Sequence, residues 1–285
     1  MNALFEGVSR DICTEQDFLL SIVKKPRGVK EGDLWALDNH RLLIGDAFRE
    51  ENWEKLIDKE KVRVLFTDPP YGINVIHKKK NELGNIAGLS YIKGAIGPRR
   101  IYPFIVGDDR PFDPRPIMEL AKKFGVKKML FFGGNHFSDK LPVSSCWFVW
   151  DKRAGRVWGV NMNHLELIWT NLKKASKIYY HLWHGMIKDT KEEDTRTRYH
   201  PTQKPVGLLK AILQDCSGSE EAVVDPFAGA GSMLIACIKT RQRCFLMEIS
   251  PIWGEIILER YYKFTGKEPM LIDRKQPLEE NKQAS

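Results

Sequence analysis

Asp68-Pro69-Pro70-Tyr71 is the stretch of this chain whose residue types point most directly to chemistry. Two successive prolines have fixed φ and no amide hydrogen, so a strand that runs into them stops and leaves its last carbonyls facing outward as acceptors. Asp68 precedes a proline, which biases it to an extended backbone and carries its carboxylate forward. Tyr71 adds a flat aromatic face beside these acceptors. The set suits a planar amine: two acceptors for its hydrogens and one ring to stack on. Read alone, the four residues equally describe a strand-ending proline turn with a solvated Asp and a packed Tyr.

A second stretch, Asp225-Pro226-Phe227-Ala228-Gly229-Ala230-Gly231-Ser232, reads as a glycine turn between a strand and a helix. Such a turn lets a ligand approach the backbone, and the helix amino terminus adds amide donors. Glu248 ends the next predicted strand, 17 residues beyond Gly231, where an acidic side chain is placed for ribose hydroxyls. Position 234 is Leu rather than the third glycine of a dinucleotide fingerprint, which favours a nucleoside-bearing ligand over a pyrophosphate cofactor. His200-Pro201-Thr202-Gln203-Lys204-Pro205 lies upstream and opens a helix, with Pro205 suited to a helix start. His181 and His184 have HxxH spacing, but no carboxylate or cysteine partner is obvious nearby, and no metal site is expected.

The elements that must position these residues alternate between strand and helix. Apolar, β-branched runs predict strands at 34–37, 41–44, 62–67, 128–132, 146–150, 165–169, 221–224 and 243–247. Helical spacing predicts helices over 47–60, 114–124, 206–216, 233–240 and 252–264. This alternation is that of an α/β parallel sheet. From Ile73 to about Asp109 the pattern fails, and glycines with basic clusters suggest a long binding loop. The expected organisation is an amino-terminal arm over 1–32, a catalytic domain over 33–272 and a flexible tail over 273–285. A DNA-binding loop is inserted at about 74–110, and a target-recognition segment at about 171–199.

At 285 residues, 42% hydrophobic and 29% charged, the composition is that of a globular protein. No apolar run approaches the length of a membrane span, and the first residues lack the pattern of a secretory signal. The five cysteines are scattered without a CxxC pair, which suits a reducing, cytoplasmic setting. The net charge of +8 suits a polyanionic partner. The candidate nucleic-acid contacts are the clusters Lys78-Lys79-Lys80, Arg99-Arg100 and Lys173-Lys174, interleaved with aromatics that can stack on bases.

Taken together, these motifs resemble the S-adenosylmethionine-dependent amino-methyltransferases of DNA in their β-type order. Asp68-Pro-Pro-Tyr precedes the Asp225-Pro-Phe-Ala-Gly-Ala-Gly loop, His200-Pro-Thr-Gln-Lys-Pro lies just before that loop, and Arg41-Leu-Leu-Ile-Gly-Asp46 lies before the first motif. The resemblance covers about residues 33–272. It implies a Rossmann-like methyltransferase fold, a mostly parallel seven-stranded sheet with helices on both faces and a circularly permuted motif order. It also implies that Phe227, Gly229 and Gly231, with Asp225 beside them, cradle the methionine part of S-adenosylmethionine. Glu248 would take the ribose hydroxyls and Asp46 the adenine ring, while Thr202 and Lys204 would hold the methionine end. Asp68 would touch both the cofactor's amino group and the target amine.

The implied reaction follows from the residue types. An exocyclic amine shares its lone pair with the ring, and accepting its hydrogens at the Asp68 carboxylate and the Pro69 carbonyl would localise that pair for attack on the sulfonium methyl. S-adenosylhomocysteine would be the product. The base would have to flip out of the duplex and stack on Tyr71. Asp at the first motif position usually accompanies adenine N6 in this family and Ser cytosine N4, so adenine is expected, with cytosine N4 and RNA adenine N6 as alternatives. No proline is followed by cysteine, which argues against cytosine carbon-5 methylation. Double-stranded DNA is the expected partner, a homodimer is a further expectation, and a restriction-modification or phage context would fit.

Overall fold

The computed structural model describes residues 22–73, 105–156, 164–184, 187–188 and 202–274, together with 19 and 199. In chain order the elements are β1 (Leu34–Leu37), β2 (His40–Ile44), α1 (Glu50–Ile57), β3 (Val62–Thr67), α2 (Arg115–Lys123), β4 (Lys128–Phe132), β5 (Trp147–Asp151), β6 (Leu165–Thr170) and β7 (Lys177–Tyr180). A two-residue pair, β8 (Trp183–His184) and β9 (Ile187–Lys188), follows. Then come α3 (Val206–Cys216), β10 (Ala222–Asp225), α4 (Ser232–Thr240), β11 (Cys244–Glu248), α5 (Pro251–Thr265) and β12 (Met270–Asp273).

β3 sits near the middle of a ten-stranded sheet whose order is β12-β1-β2-β11-β10-β3-β4-β6-β5-β7. Its side chains alternate between two cores. Val64 and Phe66 face one core, with Val206 and Leu209 of α3, Met233 of α4 and Ile257 of α5. Leu65 faces the other, with Trp53 and Leu56 of α1 and Ile117 of α2, and Val62 at the start of the strand is buried in that second core as well. Covering both faces explains why β3, β10 and β11 read as nearly continuous apolar runs. At roughly 25 cal/mol per Å² of apolar surface, burying a side chain such as Phe66 or Leu65 contributes about 1.5–3 kcal/mol.

The central strands β2, β11, β10, β3 and β4 are parallel, and β6 is inserted antiparallel between β4 and β5. The seven strands expected from the resemblance are those from β2 to β5 in the sheet order. The sheet is wider because β1 and β12 extend one edge and β7 the other. Two of these additions carry weak sequence signals for a physical reason. Only Tyr179 of β7 is buried, and all four residues of β12 are exposed, so neither strand has the apolar alternation of a half-buried strand.

α1 begins at Glu50 rather than near position 47, because the Asp46 carboxylate accepts the Phe48 amide at 2.9 Å and holds the preceding residues in a turn. Part of the expected amino-terminal arm lies on α5. The backbone amides of Arg27 and Val29 each donate to the Glu255 carboxylate at 2.9 Å, and Val23 is buried beside Trp253 and Ile256.

Lys78, Lys79, Lys80, Arg99 and Arg100, with most of the expected inserted loop, lie outside the described residues, as do the tail beyond 274 and most of the arm. Among the described residues no helix is long and apolar enough to cross a membrane.

Candidate active site

The permuted motifs meet at the carboxyl ends of β3 and β10. These strands are neighbours, although 158 residues separate Thr67 from Asp225 in sequence, and the Thr67 hydroxyl donates to the Asp225 carboxylate at 2.6 Å. β10 continues to β11 on its other side, which makes this the switch point where a doubly wound sheet opens a crevice. A cavity of about 520 Å³ occupies the crevice, within the usual range for small-molecule sites. Asp46, Asp68, Pro69, Pro70, Tyr71, Thr202, Lys204, Phe227, Gly229 and Glu248 all line it. Asp225 lies beneath, lining a small adjoining cavity with Thr67 and Phe227.

The two ends of the cavity differ in chemistry. At the β11 end the Glu248 carboxylate is fixed by backbone amides, accepting from Gly229 at 2.8 Å and Ser250 at 3.0 Å. Gly229 and Gly231 have φ of +54° and +74°, and Gly231 precedes the first turn of α4 in this left-handed conformation. Phe48, Phe112 and Phe227 form an edge-on aromatic cluster beside this end. The result is an apolar wall next to a carboxylate that faces the cavity.

The β3 end is a dense polar network. Lys204 Nζ donates to Asp68 Oδ2 at 2.6 Å and to Glu166 Oε1 at 2.9 Å, and lies 3.2 Å from Tyr71 Oη. The Tyr71 hydroxyl is within hydrogen-bond distance of both Asp68 and Glu166. Lys152 closes the network, with Nζ 2.8 Å from Glu166 Oε2. The Tyr71 ring stacks on His136, with centroids 4.9 Å apart and planes 13° from parallel. One face of the aromatic platform expected from sequence is therefore covered by an imidazole.

Burial governs the protonation of these groups. It pushes Asp68 up, with the Glu166 charge adding to the effect and Lys204 opposing it. Burial also opposes the charge on Glu166, but Lys204 and Lys152 outweigh it and hold that carboxyl at about 2. Burial alone would lower the Lys204 ammonium, and Asp68 with Glu166 more than offset it. Tyr71 is raised by burial and by the two carboxylates, so its phenol keeps its proton. Burial lifts both Asp225 and Glu248 to about 7, against the donors each receives.

Asp225 supplies a stability test. Its folded value of about 7 exceeds the ordinary 3.8, so the native state holds this proton more tightly than the unfolded chain. Stability contributed by the neutral acid is full below about pH 4 and is lost as pH rises through about 7. Oδ1 alone accepts from Thr67 and from the Phe227 amide, so asparagine can keep both bonds. Without cofactor, Asp225→Asn should therefore be more stable than the parent at pH 8, by a few kcal/mol at most. The gap should close towards pH 4 in thermal unfolding, and a gap independent of pH would contradict this reading of Asp225.

The loop from Ile105 is pinned to the strand end. The Asp108 carboxylate accepts from the amides of Gly72 at 3.1 Å and Ile73 at 3.3 Å. A Cβ on Gly72, whose φ is +74°, would lie 2.4 Å from the Arg110 carbonyl oxygen.

Sequence reasoning missed Glu166, Lys152, His136 and Asp108. It also placed Lys173 and Lys174 among the nucleic-acid contacts, and the structure does not bring these to the site. They follow β6, which runs against its neighbours, so they lie at the amino-terminal end of β4, where Asn171 bonds Met129 and Lys127. There Lys174 donates to the Asp215 carbonyl at 2.6 Å.

Residues 138–259 match the family model N6_N4_Mtase, described as DNA methylase. Over this stretch the chain is similar to that family. The matched segment holds Glu166, Thr202, Lys204, the glycine loop and Glu248, and the match does not extend back to Asp68–Tyr71. Over 66 residues the chain is 33% identical to YubD of Escherichia coli (strain K12), described as a methylase, and to the type II methyltransferase M2.MboI of Moraxella bovis. These matches span 23% of this chain and only 26% and 24% of the two relatives. A solved M1.HpyAVI–SAM complex aligns over 77% of this chain and 97% of its own, with 15% identity and a TM-score of 0.46. The mixed, largely parallel α/β architecture is read from the strand order itself.

Proposed function

We propose that this protein transfers a methyl group from S-adenosylmethionine to an exocyclic amine of a base in double-stranded DNA, with adenine N6 as the target. The observation that carries this reading is that Asp68-Pro-Pro-Tyr71 after β3, Phe227 and Gly229 after β10, and Glu248 at the end of β11 line one cavity at the ends of three successive strands of the sheet.

The residues present fit the cofactor. Glu248, aimed by two amides, would accept the ribose hydroxyls; the Phe48, Phe112 and Phe227 wall with Asp46 would hold the adenine; Lys204 and Thr202 would face the methionine end. When bound, S-adenosylmethionine supplies an electrophilic methyl on a sulfonium. This chain's residues do the remaining work. The Asp68 carboxylate and Pro69 carbonyl accept the amine hydrogens, and the walls position the amine and exclude water, so positioning and electrostatics dominate. Asp at position 68 supports adenine over cytosine by the family's habit, since both amines need the same two acceptors. The type II methyltransferase among the relatives supports a restriction-modification setting. A homodimer stays part of the proposal as an expectation.

Gly133 tests the geometry. Its φ is +66°, and an added Cβ would lie 2.3 Å from Tyr71 Cε1. Gly133→Ala must move Tyr71, and a displacement of this size should lower turnover on the order of 10²-fold with cofactor affinity nearly unchanged. Initial rates and titration calorimetry check both, and parental turnover would show that the Tyr71 position is not needed.

The reading itself is tested by transfer of labelled methyl to duplex DNA against transfer RNA and ribosomal RNA. Label in DNA supports it. Label in RNA alone would replace DNA by RNA as the substrate.

A further inference from the structure

Both oxygens of Asp68 are occupied in this structure. Oδ2 takes Lys204 Nζ at 2.6 Å, and Oδ1 takes the Tyr71 hydroxyl. A carboxylate has about four lone-pair sites, so an amine arriving at Asp68 competes with these donors for it, and a buried ammonium or phenol that loses its acceptor is strongly destabilised. Glu166 removes that obstacle. Its Oε1 already lies 2.7 Å from Tyr71 Oη and 2.9 Å from Lys204 Nζ. Its Oε2 is anchored by Lys152 at 2.8 Å, so the carboxylate stays in place. The side chain is itself only 10% exposed.

We propose that Glu166 is a positioning residue for the reaction: it is the alternative acceptor that takes Lys204 and Tyr71 from Asp68 when the target amine arrives, with Lys152 holding it for that exchange. This inference rests on the proposed amino-methylation. It adds that Asp68 begins each turnover latched and is released by the second carboxylate. The exchange moves hydrogen bonds only, and no covalent bond forms or breaks. The second observation behind it is the sheet register. Along β6, Glu166 alternates with Ile168 and Thr170, both fully buried, so a carboxylate has been placed on the core face of a strand, directly beneath the reacting corner.

The groups that face this network are Asp68 and Tyr71 beyond β3, Lys204 before α3, Lys152 beyond β5, His136 beyond β4 and Asp225 at the end of β10. In Glu166→Gln, Lys204 keeps only one anionic partner and remains on Asp68. Its ammonium also loses protons at lower pH than in the parent, and deprotonation frees Asp68. Glu166→Gln should therefore lower kcat on the order of 10²-fold at pH 7, leave the KM for S-adenosylmethionine within about threefold, and show kcat rising towards pH 9.5. Over the same range the parent should be flatter.

The full-length protein is assayed for methyl transfer to unmethylated duplex DNA from pH 6.5 to 9.5. Lys152→Gln, which loosens Glu166 without removing it, serves as the second variant should Glu166→Gln fail to fold, and a smaller kcat loss with the same pH trend is expected. A parental kcat and pH profile in a folded variant would overturn the latch while leaving methyl transfer intact. An equal loss at every pH, or a loss seen only in KM, would also overturn it. Failure of the parent itself to transfer methyl would instead contradict the proposed function.

Discussion

An Asp68→Ala protein is expected to lose methyl transfer by at least about 10³-fold while still binding DNA. In the proposed reaction Asp68 would provide the acceptor for one amine hydrogen, and removing a group aimed at the reacting centre in a closed site typically costs 10²–10⁴-fold. The fold should survive the change. Lys204 keeps Glu166 as an anionic partner at 2.9 Å, and Tyr71 keeps the same carboxylate at 2.7 Å, so neither buried donor is stranded. Turnover measured beside DNA affinity separates the two effects. Turnover within tenfold of the parent would show that the Asp68 carboxylate does not act on the amine.

Removing Glu248 should act on the cofactor instead. A carboxylate that accepts two hydroxyl hydrogens contributes about 1.5–3 kcal/mol per bond, so Glu248→Ala should weaken S-adenosylmethionine binding by about two to four orders of magnitude. The Gly229 and Ser250 amides lose their acceptor in the same variant, which can only add to the loss. The pH dependence gives the effect a signature. Burial raises Glu248 to about 7, so a neutral acid must lose its proton before it can accept both hydroxyls. Parental affinity should therefore fall as pH is lowered from 8 to 6, and Glu248→Ala should lose the part of that fall due to this carboxyl. Titration calorimetry at the two values tests this, and equal affinities for parent and variant would remove Glu248 from the cofactor site.

These residues were legible in the sequence because each lies in a short motif with its own local physics. Asp68 and Tyr71 flank a double proline at a strand end, Gly229 and Gly231 make a turn, and Glu248 closes a fully buried strand. Glu166 was not legible, because in Leu165-Glu166-Leu167-Ile168 it reads as one polar residue of a strand whose acceptor role depends on Lys204, 38 positions away. The available signal was its register with Ile168, since a carboxylate on a core face requires a partner. Lys173 and Lys174 lie away from the cavity for a topological reason. A strand's direction in the sheet is not written in its periodicity, and the reversal of β6 sends its following loop to the end opposite the cavity. The extra edge strands escaped because edges need little apolar surface, as β12 illustrates with four exposed residues.

The most direct measurement is incubation of the protein with S-adenosylmethionine and unmethylated genomic DNA, digestion to nucleosides, and mass spectrometry of the products. The account predicts N6-methyladenine, absent from the matched Asp68→Ala reaction. N4-methylcytosine would contradict the choice of base. A digest with no methylated nucleoside would contradict amino-methylation of DNA itself.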